Sequence, residues 1–175
     1  MAPFDRESDV RVLIACEDSA AAEQAGAALE AIGRQWGQGG RLIYDSWNFE
    51  VLAITALRTI AIREAAAADL VIIALHEALE LPPEVSAWIE SWRDLRKARP
   101  EPLMVILVSD LRDSHGLLEL CSQIRRLTAL EPANFLLKTD CKNLESGKIS
   151  EACESTRKFL TACRKSFCAN TAPGA

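Results

Sequence analysis

The sequence predicts an α/β domain in which a five-stranded parallel sheet is covered by helices on both faces. Short apolar runs alternate strictly with longer segments whose apolar residues recur at helical spacing. The length of 175 residues suits one domain. The hydrophobic share of 49% and the charged share of 26% are those of an ordinary globular protein.

The strands are predicted from short apolar runs. The first, third and fourth runs are almost entirely apolar, which favours central positions that are buried on both faces. The second run is less apolar and alternates, with Tyr44 on one side and Asp45 on the other, as is typical of an edge strand. The predicted strands are residues 10–16, 41–48, 69–75, 103–108 and 134–138.

The helices are predicted from apolar stripes and from the residues that begin or end them. Pro82 and Pro83 open the third helix, because proline is tolerated in the first helical turn. Its sheet-facing stripe is Val85, Trp88, Ile89, Trp92 and Leu95. We expect a solvated basic face beside it, formed by Arg93, Arg96, Lys97 and Arg99. The other predicted helices are residues 19–36, 50–67, 117–127 and 149–163.

Right-handed crossovers between parallel strands leave few topologies. With the most apolar strands at the centre, the predicted order is 2-1-3-4-5, the flavodoxin-like three-layer sandwich. The helices 19–36 and 149–163 are expected on one face and the other three on the opposite face. We expect one domain over residues 9–167, with loose tails at 1–8 and 168–175.

The net charge, the apolar runs and the cysteines indicate which partners and which cellular compartment to expect. The net charge of −5 disfavours a nucleic-acid partner, and no apolar run reaches the length of about 18 residues that a membrane helix needs. The N-terminus has no signal-peptide pattern, so we expect a cytoplasmic protein. None of the six cysteines are spaced Cys-x-x-Cys, and we therefore expect free thiols and no disulfide.

Ligands of open α/β sheets bind beyond the carboxyl ends of the strands. Both histidines and several carboxylates are predicted at that edge, although Asp18 could instead simply cap a helix. The candidate ligand-binding mouth comprises Glu17, Asp18, Trp47, His76, Glu77, Ser109, Asp110 and Lys138. Within it, Glu17 and Asp18 are the candidate ligands for a metal ion, and hard oxygen ligands favour Mg²⁺.

The sequence disfavours several other kinds of binding or catalytic site. A flavodoxin needs backbone N–H groups after the first strand to hold the flavin phosphate, and two acids at Glu17 and Asp18 would repel that phosphate. No glycine-rich nucleotide-binding motif occurs. A dyad of Cys16 and His76 is disfavoured, because neighbouring acids raise the pKa of a thiol.

The acidic pair Glu17–Asp18, Ser109 after the fourth strand and Lys138 after the fifth together resemble a response-regulator receiver domain over most of the chain. Such domains carry a phosphoacceptor Asp after the third strand, where this chain has Leu75 and His76. The resemblance thus implies a degenerate receiver that does not accept a phosphoryl group. In it, Lys138 would pair with an acid of the mouth. The stretch that runs from 47 to 73, together with 81–83 and 88–92, is also similar to bacterial proteins of this size, and that resemblance implies no activity.

The resemblance leads us to expect a stand-alone, non-catalytic signalling or protein-interaction module with a pseudo-receiver fold. It would act in two-component signalling through a protein partner, with no cofactor other than Mg²⁺. The alternative is an enzyme that binds a small molecule or a metal ion at the acidic, histidine-bearing mouth. The sequence leaves the oligomeric state open.

Overall fold

The computed structural model describes residues 9–36, 41–98, 103–129 and 135–139. Strands and helices alternate along these segments. The strands are β1 (Val10–Cys16), β2 (Leu42–Asn48), β3 (Leu70–Leu75), β4 (Met104–Ser109) and β5 (Phe135–Thr139). The helices are α1 (Ser19–Trp36), α2 (Phe49–Leu52), α3 (Thr55–Ala67), α4 (Pro83–Arg96) and α5 (Ser114–Thr128). The predicted tails and the predicted helix 149–163 lie outside the described residues.

The strands form a parallel sheet in the order β2-β1-β3-β4-β5. The α/β class, the parallel pairing and the order of the first four strands are therefore as the sequence predicted. Every residue of β3 is buried, as expected for a central strand, whereas β2 exposes most of its residues at the sheet edge. The register pairs Cys16 of β1 with Ala74 of β3, and Leu75 of β3 with Ser109 of β4. Three neighbouring strands thus end at the same level.

The sheet separates two apolar clusters. On one face, α1 packs its small residues, such as Ala21 and Ala25, against β1, β3 and β4. On the other face, α2, α3, α4 and α5 cover the alternate residues of the same strands. Successive strand residues point to opposite faces, so that Ile72 belongs to the first cluster and Val71 to the second.

The helix predicted over residues 50–67 is in fact two helices. Asn48 caps α2, its Oδ1 accepting a hydrogen bond from the backbone N–H of Glu50 at 2.8 Å. The chain then leaves the helix at Ile54, whose backbone is extended, and α3 begins at the next residue. The break buries Leu52 completely while Ile54 remains exposed. Burial of the short helix in the core thus overrides a sequence that contains neither Gly nor Pro as a break signal.

Helix α4 corrects two further expectations. Trp88 and Trp92 are fully buried with their ring centroids 6.0 Å apart, as the stripe predicted, but Leu95 is exposed. Arg96, expected on a solvated face, is buried, and its Nη1 donates to the carbonyl oxygens of Ala66 at 2.9 Å and Ala68 at 2.6 Å. It therefore closes the C-terminus of α3, where carbonyl groups have no partner within the helix.

Among the described residues, no helix is both long enough and apolar enough to cross a membrane.

Candidate functional site

The loops that follow β1, β3 and β4 meet at the carboxyl edge of the sheet. The two residues after β1, Glu17 and Asp18, lead directly into α1, and His76 follows β3 in the same way. Asp110 is the first residue after β4. Parallel strands in matched register carry these side chains to one place, which we call the mouth. It lies where the strand order reverses between β1 and β3.

Glu17 is held by the backbone of the loop after β3. Its Oε2 accepts hydrogen bonds from the N–H groups of His76 at 2.7 Å, Glu77 at 3.1 Å and Ala78 at 3.2 Å. Its own N–H donates to the carbonyl oxygen of Ala74 at 3.0 Å. Successive N–H groups that converge on one point form an anion-binding cradle. The anion in this cradle is the carboxylate of Glu17.

Asp18 has two roles, one on each carboxylate oxygen. Oδ1 accepts from the N–H of Ala21 at 2.8 Å and so caps α1. Oδ2 lies 3.0 Å from Nδ1 of His76. The pKa of Asp18 is lowered, chiefly by the hydrogen bond from Ala21 and further by His76. The cap expected from the sequence therefore coexists with a contact that joins two loops.

His76 lies between two carboxylates. While Nδ1 faces Asp18, Nε2 lies 3.8 Å from Oδ2 of Asp110. The pKa of His76 is raised, chiefly by the hydrogen bond to Asp18, with the charges of Asp110 and Glu77 adding to this and partial burial opposing it. The imidazole side chain remains 32% exposed. It is therefore a partly accessible group in which the positively charged form is favoured.

Asp110 carries an unused acceptor. Its Oδ1 is buried and has no hydrogen-bond partner within the described part of the chain. A buried acceptor without a donor is energetically unfavourable. Its other oxygen, Oδ2, lies 3.8 Å from Nε2 of His76.

Three other predicted site residues contribute differently. Ser109 is buried, and its Oγ accepts from the N–H of Leu111 at 3.2 Å, so it shapes the loop after β4. Trp47 donates from Nε1 to Oε2 of Glu64 at 2.7 Å and packs on the core. The side chain of Glu77 is exposed.

Lys138 is paired with Val108 through the strand backbone, but its side chain lies outside the described atoms. Its predicted pairing with an acid of the mouth therefore stays a prediction.

Cys16 lies beneath the mouth and is not arranged as a nucleophile. Its thiol donates to the carbonyl oxygen of Trp47 at 3.5 Å and lies 4.0 Å from Oγ of Ser46. Burial raises the pKa of Cys16, and the charge of Asp18 adds to the effect. A thiol held in its protonated form is a poor nucleophile.

The structure does not gather the acids of the mouth around a metal ion. In the described ranges, no group of three or more His, Cys, Asp or Glu side chains is arranged to hold one. Glu17 is engaged by backbone amides, and Asp18 is shared between a helix cap and His76.

The backbone donors of residues 76–78 were not predicted from the sequence. Every residue other than proline carries an N–H group, so side-chain identity gives no sign of where amides converge. The acceptor was visible in the sequence as Glu17, but its partners depend on the conformation of the loop after β3.

The parallel sheet and the mouth at its switch point define a flavodoxin-like α/β protein. No family model and no curated protein matches the sequence. Among solved structures, an oxidoreductase from Corynebacterium diphtheriae is similar, with a TM-score of 0.53, 13% identity and coverage of 89% of this chain and 99% of the other. The flavodiiron protein from Giardia intestinalis has a TM-score of 0.51 and 12% identity. The match covers 94% of this chain but only 38% of the flavodiiron chain. At these identities the likeness shows a shared fold.

These structures correct the functional interpretation of the sequence. They are an oxidoreductase and a flavodiiron protein, not response regulators. The expectation of a non-catalytic module in two-component signalling is therefore wrong. The expectation of no cofactor, or of Mg²⁺ alone, is overturned by the same neighbours. The resemblance to receiver domains reflects element order, which many flavodoxin-like proteins share.

Proposed function

We propose that this chain is an oxidoreductase of the flavodoxin-like class and that its active site is the mouth of β1, β3 and β4. The similar structures support the reaction class. The observation that carries the site assignment is His76, partly exposed between Asp18 at 3.0 Å and Asp110 at 3.8 Å. The five-stranded sandwich predicted from the sequence is the fold in which we place this activity. A protein partner and a cytoplasmic location stay predictions.

His76 is the proton donor in this proposal. A carbonyl compound that accepts hydride develops negative charge on its oxygen, and a neighbouring acid lowers the barrier by supplying a proton. Because its pKa is raised, His76 carries that proton nearer neutral pH than an ordinary histidine would. Asp18 orients the ring through Nδ1, and Nε2, which lies 3.8 Å from Oδ2 of Asp110, is the nitrogen that the proposal assigns to the substrate.

The fold implies a flavin, bound where the strand order reverses. The residues present do not fit the phosphate of flavin mononucleotide. The amide cradle of residues 76–78 is filled by the carboxylate of Glu17, and the first turn of α1 is capped by Asp18. A phosphate would meet these charges and that of Asp110. The proposed activity therefore depends on the chain's own residues, and a soluble donor supplies the hydride.

The test is reduction of small carbonyl compounds, quinones included, by nicotinamide hydride donors, with riboflavin present or omitted. Wild-type protein is compared with His76→Gln and with the matched control His115→Gln, since His115 is the other histidine of the chain and is exposed on α5. Loss of a general acid lowers turnover about 10²–10⁴-fold, so His76→Gln should show such a loss and His115→Gln should not. Wild-type protein without turnover, or equal effects of the two substitutions, would contradict the proposal.

A further inference from the structure

Most of the charged side chains described around the mouth are acidic. Glu17, Asp18, Glu77 and Asp110 all lie on the loops that enclose it, and the imidazole of His76 lies 3.0 Å from Asp18 and 3.8 Å from Asp110. Two of these acids accept hydrogen bonds from backbone N–H groups of the kind that would otherwise bind a phosphate. Glu17 takes three backbone N–H groups, and Asp18 takes the N–H of Ala21 at the start of α1. Both kinds of donor are the ones that bind phosphate in proteins.

We infer that Glu17 and Asp18 act as a built-in substitute for a phosphate, so that the mouth rejects phosphate-bearing flavins and accepts ligands whose inserted end is neutral or cationic. This inference rests on the proposed function for the location of the site, and it goes further by naming the class of ligand. The carboxylates satisfy the same amide donors that an incoming phosphate would require. An incoming phosphate would have to displace Glu17 from its three hydrogen bonds and also approach Asp18.

The preference should be electrostatic and therefore sensitive to salt. Two unit charges a few ångströms apart near a protein surface interact by more than the equivalent of a tenfold change in affinity. Salt screens that repulsion when the groups are exposed to solvent. Raising the ionic strength should therefore improve the binding of a phosphate-bearing ligand and leave a neutral ligand of the same ring system unaffected.

The probes are riboflavin and flavin mononucleotide, which share the isoalloxazine ring and differ by the phosphate. Binding is measured by flavin fluorescence and calorimetry, with no turnover required. Wild-type protein should bind flavin mononucleotide more weakly than riboflavin, and the difference should shrink as salt is added. The double variant Glu17→Gln/Asp18→Asn should gain affinity for flavin mononucleotide by about tenfold or more.

The matched control is Glu30→Gln, which removes one negative charge from the exposed ion pair with Arg34 on α1, outside the mouth. It should leave the ratio of the two affinities unchanged. Asn caps helices as well as Asp does, so the double variant keeps the α1 cap, and a circular dichroism melt checks its fold. The salt series on wild-type protein needs no variant and tests the same point.

Three outcomes would overturn the inference. They are tighter binding of flavin mononucleotide than of riboflavin by wild-type protein, no gain of flavin mononucleotide binding in the folded double variant, or an equal gain in Glu30→Gln. Each is a binding result. Failure of the proposed function would appear instead as absent turnover or as equivalence of the two histidine variants.

Discussion

Nδ1 of His76 lies 3.0 Å from Oδ2 of Asp18, and this contact joins the loop after β3 to the N-terminus of α1. It raises the pKa of His76 above the ordinary value of 6.5. Asp18→Asn removes the charge and should move the pKa of His76 back toward 6.5, as followed by the imidazole proton shifts in an NMR titration. Asp113→Asn changes the analogous cap of α5, where Oδ1 accepts from the N–H of His115, and should leave the His76 titration unchanged. An unchanged titration in Asp18→Asn would contradict the assignment.

The same pair makes stability depend on pH in opposite directions. Because the folded pKa of His76 is raised, its contribution is fully present below 6.5 and is lost as the pH rises through the raised value. Because the pKa of Asp18 is lowered, its contribution is present above 3.8 and is lost as the pH falls through the lowered value. Urea unfolding of wild-type protein and His76→Gln should therefore differ most between these pH values and converge at alkaline pH. A difference that grows with rising pH would exclude this linkage.

Arg96→Met should destabilise the protein. The substitution leaves the carbonyl oxygens of Ala66 and Ala68 without the guanidinium that donates to both. Loss of charge-assisted hydrogen bonds at a buried position costs about 2–3 kcal/mol in the free energy of unfolding. The control is Lys97→Met at the C-cap of the same helix; its exposed ammonium pairs with Asp94, and its loss should cost under about 0.5 kcal/mol. Comparable denaturation midpoints for the two variants would show that the hydrogen bonds of Arg96 to Ala66 and Ala68 do not stabilise the fold.

The hydrogen bond between Trp47 and Glu64 fastens β2 to α3. Trp47→Phe keeps an aromatic ring on the core and removes the donor, and we expect a loss of about 0.5–1.5 kcal/mol. A double-mutant cycle with Glu64→Ala isolates the contact, because the two losses should then be less than additive. Strict additivity would mean that the bond contributes nothing to stability.

The two described cysteines, Cys16 and Cys121, are free thiols and should resist alkylation in the folded protein. Burial raises the pKa of Cys121 to about 11 and also raises that of Cys16. Since the thiolate is the reactive form, iodoacetamide near neutral pH should modify both residues slowly until denaturant is added. Peptide mass spectrometry measures each rate, and equal rates in native and unfolded protein would contradict the burial of Cys16 and the partial burial of Cys121.

Much of this fold can be predicted from the sequence because it depends on local patterns. Continuous apolar runs can only be buried on both faces, which places β1, β3 and β4 at the centre. The mixed run at residues 42–48 can only lie at an edge. Once the strands are parallel and ordered, their carboxyl ends must share one side of the sheet. That is why Glu17, Asp18, His76 and Asp110 could be placed at one mouth before any distance was known.

What only the tertiary structure decided is how those groups pair. The sequence around Asp18 is equally compatible with a helix cap and with a metal ligand. Its 3.0 Å contact with His76 depends on two loops that are 58 residues apart in the chain. Glu17 binds backbone amides, which every sequence possesses and no sequence marks. The sequence predicts a surface position for Arg96, which is buried because the C-terminus of α3 packs against it. Periodicity specifies which side of an element is buried, whereas the partner of a polar atom is fixed only when separate elements come within hydrogen-bonding distance.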